Sequence, residues 1–163
     1  MKQILIGYLG NPILGNDAVG IQIGEELLRF ERFASDHPEF EFTIRELLGS
    51  PMNLLEDIRG FDGVVLIDAL VLPSQPVGKV LAFGSEELSS MGTGSHIHGL
   101  NLPEVLHLAG GLGIELPERF TLVGVVVPLS LSFTAAMDRN IEERLPEIIE
   151  SVISIIREFL DVW

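Results

Sequence analysis

Four side chains in this sequence have the chemistry and the placement expected of a functional site: Asp17, Asp68, His96 and His98. Asp17 follows the first apolar run of the chain, Asp68 lies near the end of a second, and the histidines follow a third. Carboxylate oxygens and imidazole nitrogens bind divalent transition metals such as zinc, nickel, manganese or iron. Two carboxylates and one imidazole leave coordination positions open for water or for ligands from a partner. The residues therefore favour an open metal-binding site.

Each of these residues also has an ordinary structural interpretation. An acid at the start of a helix interacts favourably with the helix dipole, which fits Asp17. A carboxylate at the end of a strand caps a turn or a helix, which fits Asp68, and a single histidine is usually a hydrogen-bonded structural residue. The spacing is too dispersed for a local metal motif such as HExxH. The metal site is thus a hypothesis about how the fold brings distant residues together.

Apolar runs and helical periodicity alternate along the chain. Strands are predicted over residues 2–8, 40–48, 64–70, 79–83 and 120–127, and helices over 17–30, from residue 51, near 101–110 and over 134–160. A loop rich in Ser, Gly and His is expected over 89–99, with Asn16 as the cap of the first helix and Pro146 as a kink or a new start in the last. This order predicts an α/β protein, a three-layer α/β/α sandwich in a single domain, residues 1–163, with a twisted, mostly parallel sheet of about five strands. Ligands of such sheets bind beyond the carboxyl ends of the strands, where the candidate residues lie.

The composition argues against several classes of function. With 24 acidic and 10 basic residues the net charge is −14, which disfavours nucleic acid as a partner because phosphate is bound mainly through Lys and Arg. The absence of cysteine excludes disulfides, thiolate nucleophiles and Cys-ligated zinc. No apolar run is long enough to span a membrane, and no GxGxxG, P-loop or GxSxG motif is present. We therefore expect a cytoplasmic protein without membrane or nucleic-acid partners, and a monomer.

Several stretches of the sequence together resemble one known family. They are GYLGNPILGNDAVG with Gly10, Asn11, Leu14, Asp17 and Gly20, VVLIDAL with Asp68, PVGKVLAF, HGLNLPEVL with His98, and FTLVGVVVP with the later FTAAM. In this order the stretches resemble the hydrogenase maturation endopeptidases, which process the large subunit of nickel–iron hydrogenases. The family's histidine a few residues ahead of a Leu-rich helix start selects His98 over His96. The resemblance runs over nearly the whole chain.

The resemblance implies an endopeptidase that removes a C-terminal extension from the hydrogenase large-subunit precursor after nickel has been inserted there. It implies that Asp17, Asp68 and His98 contact the metal and carry the catalysis. The nickel then belongs to the precursor, and no tightly bound metal of the protease's own is expected. Metal polarisation of the scissile carbonyl, metal activation of a water, and general-base catalysis by a carboxylate all remain open. Gly10, Asn11, Asn16 and His96 are expected to support the loops or the substrate.

The chain departs from the family pattern at the site itself. Asn16 stands where the family usually has an acid, and Asp17 stands at a position that is often Glu. VVVPLSLS also lacks an acid that many members carry after the last strand. These changes point to an altered substrate preference rather than an altered reaction. Two alternatives to the endopeptidase are a non-cleaving chaperone that senses the metal site during hydrogenase assembly, and a metal-dependent amidase or hydrolase of small molecules.

Overall fold

The computed structural model of the chain describes residues 1–29, 35–48, 50–90, 102–129 and 134–163. The strands are β1 (Lys2–Tyr8), β2 (Phe40–Glu46), β3 (Gly63–Leu70), β4 (Val80–Gly84) and β5 (Arg119–Val126). The helices are α1 (Val19–Leu28), α2 (Pro51–Ile58), α3 (Ser85–Ser90), α4 (Leu102–Leu112) and α5 (Arg139–Asp161), and a short 3-10 helix (Gly15–Ala18) precedes α1. None of the helices within these ranges has both the length and the apolar character required to cross a membrane.

The strands form one sheet in the order β2-β1-β3-β5-β4. β1 pairs in parallel with β2 and β3, β3 pairs in parallel with β5, and only the edge strand β4 is antiparallel to its neighbour β5. Because β2 and β3 lie on opposite sides of β1, the direction of winding reverses between β1 and β3. Ligands of open α/β sheets bind beyond the carboxyl ends of the strands at such a reversal. The α/β fold class is confirmed, and it places the ends of β1 and β3 where a ligand is expected.

Two apolar layers cover the sheet. On one face Ile6 of β1 and Ile67 of β3 belong to a buried cluster with Ile23 of α1 and Val152 of α5. On the other face Leu66 of β3 belongs to a second cluster, formed with residues of α2, α3 and α4. Burial of such side chains stabilises the fold by about 1.5–3 kcal/mol each. The predicted three-layer sandwich is confirmed, and the ends of the buried strands are held in fixed register.

The prediction that Asn16 caps the first helix is wrong. α1 begins at Val19, its N-cap position is occupied by Ala18, and no side chain there accepts a hydrogen bond. Residues 15–18 instead form the 3-10 helix, and the Asn16 side chain is used in a longer-range contact with Asp138. The helical spacing holds from Val19 onward, but it does not distinguish a 3-10 turn from the first turn of an α-helix.

Two further helices differ from the sequence prediction. Pro146 lies inside one continuous helix, α5, so no second helix begins there. α3 was not predicted, although the sequence carries its start signal: the Glu87 carboxylate accepts the N–H of Gly84 at 2.8 Å. An acid three residues into a helix that bonds back to the residue before it is half of a capping box.

Candidate active site

Asp68 is buried near the carboxyl end of β3, in a strand whose eight residues are all buried. Its side chain is 3% exposed, and among the described residues it is the one polar or charged side chain that is buried. Burial is the largest cause that raises the pKa of Asp68; the Ala69 N–H, donating to Oδ1 at 2.8 Å, lowers it, the nearby Asp17 carboxylate raises it, and together they bring it to about 8. At neutral pH, without a bound cation, Asp68 therefore holds a proton most of the time.

Asp17 lies in the 3-10 helix that follows β1, and its side chain is half-buried. Its backbone rests against the start of the same loop, where the Asn11 N–H donates to the Asp17 carbonyl at 3.3 Å. A Cβ added at Gly10 would collide with that carbonyl oxygen. The Asp17 N–H also donates to the Leu14 carbonyl at 2.8 Å. Gly10 is thus required by the close approach of the Asp17 backbone, and its supporting role in the site stays a prediction.

Asn11 shapes the turn between β1 and Asp17. Its side-chain oxygen accepts the N–H of Ile13 at 3.0 Å, and its carbonyl accepts the N–H of Leu14 at 3.1 Å. An asparagine side chain that bonds the backbone two residues on stabilises a tight turn. Asn11 therefore stabilises the turn that leads to Asp17.

The loop after β1 is packed directly against the end of β3. The Leu9 N–H donates to the carbonyl of Ile67, the residue before Asp68, at 2.9 Å. At Gly20, in the first turn of α1, an added Cβ would collide with the Leu9 carbonyl oxygen and lie 3.3 Å from that of Ile67. A glycine is needed there because the helix approaches two strand ends at once. This packing explains why the charge of Asp17 acts on Asp68.

A second attachment joins the Asp17 loop to the segment before α5. The Asn16 side-chain oxygen accepts the Asp138 N–H at 2.6 Å, and the Gly15 N–H donates to the Thr134 carbonyl at 2.7 Å. Asp138 is itself the N-cap of α5, accepting the N–H of Asn140 at 2.9 Å. Sequence reasoning missed Thr134 and Asp138, since a contact between residues so far apart leaves no local pattern in the sequence.

The structure brings together two of the predicted site residues, Asp17 and Asp68. His96 and His98 lie outside the described residues, so the three-residue site stays a prediction. Within the described ranges, no group of three or more histidines or acids is arranged to hold a metal ion. The pair alone is one buried, protonated carboxyl beside one half-buried carboxyl. Such a pair can transfer protons, and on binding a divalent cation it would release the proton of Asp68.

Comparison with known proteins identifies the family of the chain. The family model for hydrogenase maturation protease, HycI, matches residues 35–155, which is more than half of the 163 residues. The chain belongs to the hydrogenase maturation protease family. It is therefore a peptidase. The matched range contains Asp68 and begins after Asp17, and the roles of both residues stay predictions.

Individual relatives match nearly the whole length of the chain. The chain is 29% identical over 157 residues to the hydrogenase 2 maturation protease of Escherichia coli, covering 96% of this chain and 92% of that protein. The solved structure of the hydrogenase maturating endopeptidase HybD from E. coli matches with a TM-score of 0.69 at 27% identity, covering 97% of this chain and 93% of that one. The HycI maturation protease of Thermococcus kodakarensis, at 22% identity, shares the fold with a TM-score of 0.67 over 96% of this chain and 93% of its own.

Proposed function

We propose that this family member is an endopeptidase that removes a C-terminal extension from a nickel-loaded hydrogenase large-subunit precursor. In this proposal Asp17, Asp68 and His98 contact the nickel carried by the precursor, and the protease holds no metal of its own. The observation that carries the proposal is the buried Asp68, whose pKa is raised to about 8 beside the Asp17 carboxylate at the β1/β3 reversal. A buried carboxyl that is costly to ionise by itself is suited to a cation brought by a substrate.

The third ligand is supported by position along the chain. α4 begins at Leu102, shortly after His98. Leu102 and Val105 at its start belong to the same buried cluster as Leu66 and Leu70, which flank Asp68 on β3. The histidine therefore precedes a helix that packs on the Asp68 face of the sheet. A borderline nitrogen donor added to two carboxylates suits nickel or zinc.

The chemistry follows from the different surroundings of the two carboxyls. When the substrate's nickel arrives, Asp68 gives up its proton, because metal binding favours the ionised carboxylate. Asp17, half-buried and therefore reachable, is the group suited to accept a proton from the attacking water. The nickel would polarise the scissile carbonyl; water adds to it as Asp17 takes one proton of the water, the peptide C–N bond breaks, and Asp17 passes that proton to the departing amine. Cleavage then depends on prior insertion of nickel.

The unit that performs this reaction is, we infer, the single domain of residues 1–163. Elements from Lys2 to Asp161 contribute to one sheet and its two covering layers. The cytoplasmic location and the monomeric state expected from the composition stay predictions. Sedimentation of the purified chain, alone and with the precursor, would measure the second of these directly.

The proposal is tested by incubating the protein with a nickel-loaded large-subunit precursor and weighing the released peptide by mass spectrometry. We expect Asp17→Asn, Asp68→Asn and His98→Ala each to reduce the rate of release about 100-fold or more. Asp161→Asn and His107→Ala are matched controls on exposed helical positions and should leave the rate unchanged. Intact processing in all three site variants would contradict the proposal.

The same assay separates the two alternatives. Stable binding of the precursor without any released peptide would favour the assembly chaperone. Hydrolysis of small amide substrates with added metal, without any need for the precursor, would favour the small-molecule hydrolase. The family match favours the protease over both.

A further inference from the structure

Four large apolar side chains are exposed where strands of the sheet end. Ile13 is 68% exposed, Leu48 69%, Met52 55% and Leu129 65%. Ile13 follows β1, Leu48 follows β2, Met52 lies in the first turn of α2, which comes after β2, and Leu129 follows β5. Single exposed apolar residues are common on protein surfaces, but these four share the edge of the sheet that carries Asp17 and Asp68. We call these four residues the apolar rim.

Backbone hydrogen bonds fix two residues of the apolar rim, Leu48 and Leu129, relative to the two carboxyls. The Leu47 N–H donates to the Tyr8 carbonyl at 2.9 Å, which holds the neighbouring Leu48 beside the end of β1. The Val127 N–H donates to the Leu70 carbonyl at 2.8 Å, which holds the Leu129 segment beside the end of β3. Since neighbouring strands lie about 4.8 Å apart, the distance from β2 to β5 is about 14 Å. The rim therefore flanks the candidate site on both sides.

The other exposed large apolar residues of the described chain lie elsewhere. Met1 and Val162 are at the termini, and Leu28 ends α1. Leu108, Leu112 and Leu116 lie on α4 or just after it. None of these six follows the carboxyl end of a strand, so they provide controls of the same chemistry at another place.

We propose that the apolar rim is the docking surface for the extended segment of the precursor that flanks the cleaved bond. This rests on the proposed function, and it adds the chemistry of the partner: a segment with apolar side chains and few carboxylates. A protease must orient a polypeptide, and nickel contacts alone leave the peptide free to rotate about the metal. A span of about 14 Å fits roughly four residues of extended chain. The net charge of −14 disfavours an acidic segment.

The experiment compares steady-state cleavage of the nickel-loaded precursor by Leu48→Ser, Leu129→Ser and the double variant. We expect KM to rise about 5–10-fold for each single variant and further for the double variant, with kcat within about twofold. A rise in KM alone is the result of losing binding that is equal in ground and transition states. Leu112→Ser, at a site 57% exposed on α4, is the matched control and should behave as wild type. Thermal unfolding checks that each variant is folded.

The outcomes distinguish this inference from the proposed function. Unchanged KM in the double variant, with active wild type, overturns the docking surface and leaves the protease assignment intact. An equal rise in KM for Leu112→Ser also overturns it, because the effect would then be a general one. If wild type releases no peptide, the proposed function fails. The affinity of the same variants for the precursor then tests the docking surface, which is overturned if the double variant binds the precursor as tightly as wild type.

Discussion

Asp62 and Asp68 stand at opposite ends of β3 and have opposite surroundings. The Asp62 carboxylate accepts the N–H of Gln3 at 2.7 Å. The backbone N–H of Asp62 donates to the Gln3 carbonyl at 2.9 Å, and the Asp62 carbonyl accepts the N–H of Arg119 at 3.2 Å. It joins the starts of β1, β3 and β5. Asp68 is buried, and the neighbouring Asp17 charge adds to the cost of ionising it. One acid stabilises the sheet, whereas the other is costly to ionise.

The rest of the amino edge follows the pattern of Asp62. The Lys2 ammonium lies 3.5 Å from the centre of the Trp163 ring and 2.8 Å from the Glu118 carboxylate. The Arg119 guanidinium lies 5.6 Å from the same ring. Cations at this edge are matched by an aromatic face or an acid within the chain. The amino edge is therefore stabilised by paired charges, while the carboxyl edge contains a buried acid that is costly to ionise.

The largest effect is expected from breaking the packing at the carboxyl edge with Gly20→Ala. The added Cβ would collide with the Leu9 carbonyl oxygen, so α1 must shift away from the ends of β1 and β3. We expect the free energy of unfolding to fall by about 2–3 kcal/mol and cleavage of the precursor to slow, because the Asp17 loop moves with the helix. Chemical denaturation and the peptide-release assay measure the two effects.

Gly110→Ala is the matched control on α4. A Cβ there has no described atom within 4 Å, so alanine should stabilise the helix by about 0.5–1 kcal/mol through its better helix propensity. Equal destabilisation by both changes would show that the close packing of Gly20 against the ends of β1 and β3 does not cause the loss of stability.

The next largest effect is expected at Asp68, in contrast to Asp62. Asp68→Asn should stabilise the protein while abolishing cleavage. The folded state holds the Asp68 proton up to about pH 8, whereas the unfolded state releases it near 3.8. Stability therefore falls as pH rises through this window, because the folded state binds more protons. Asparagine does not titrate, so we expect the free energy of unfolding to rise by on the order of 2 kcal/mol at pH 8 and to depend less on pH. Urea denaturation at several pH values measures both.

Asp62→Ala should have the opposite pair of effects. Losing the acceptor for the Gln3 N–H is expected to destabilise the fold by about 1–2 kcal/mol, with cleavage retained. If Asp68→Asn instead destabilised the protein at pH 8, the carboxyl at that position would be a stabilising group, and the two ends of β3 would not differ.

The smallest effect is expected at Asn16, which joins the Asp17 loop to α5. Asn16→Ala leaves the Asp138 N–H without its side-chain acceptor, which should cost about 1 kcal/mol of stability and lower kcat about 10-fold through the displaced Asp17. Asn16→Asp keeps the acceptor oxygen and should recover most of both losses. Denaturation and single-turnover cleavage of the three proteins give the comparison, and an aspartate variant as poor as alanine would contradict a role in positioning.

The layers and the sheet are predictable from the sequence because buried parallel strands read as apolar runs. The run VVLIDAL identifies β3, and its single acid marks Asp68 as an exception among apolar neighbours. The same pattern places Asp17 and Asp68 at one edge, since parallel strands end together. The raised pKa of Asp68 and the effect of Asp17 on it depend on the folded surroundings, which no local pattern contains.

Contacts between distant residues are not predictable from local patterns. Asn16 resembles a helix cap in sequence, yet its oxygen accepts the N–H of Asp138. The exposure of Leu48 and Leu129 is likewise invisible in the sequence, where Leu48 directly follows Leu47 and Leu129 lies two residues after Val127. His98 is selected by family resemblance alone, and its place in the site remains a prediction.

The central claim is that the carboxyl edge recognises a cation carried by the precursor, and one measurement tests it most directly. Nickel-loaded and nickel-free precursor are incubated with the wild-type protein and with Asp68→Asn, and the released peptide is weighed. We expect release only from the nickel-loaded precursor and only with the wild-type protein. Equal release from the nickel-free precursor, or undiminished release by Asp68→Asn, would contradict the claim.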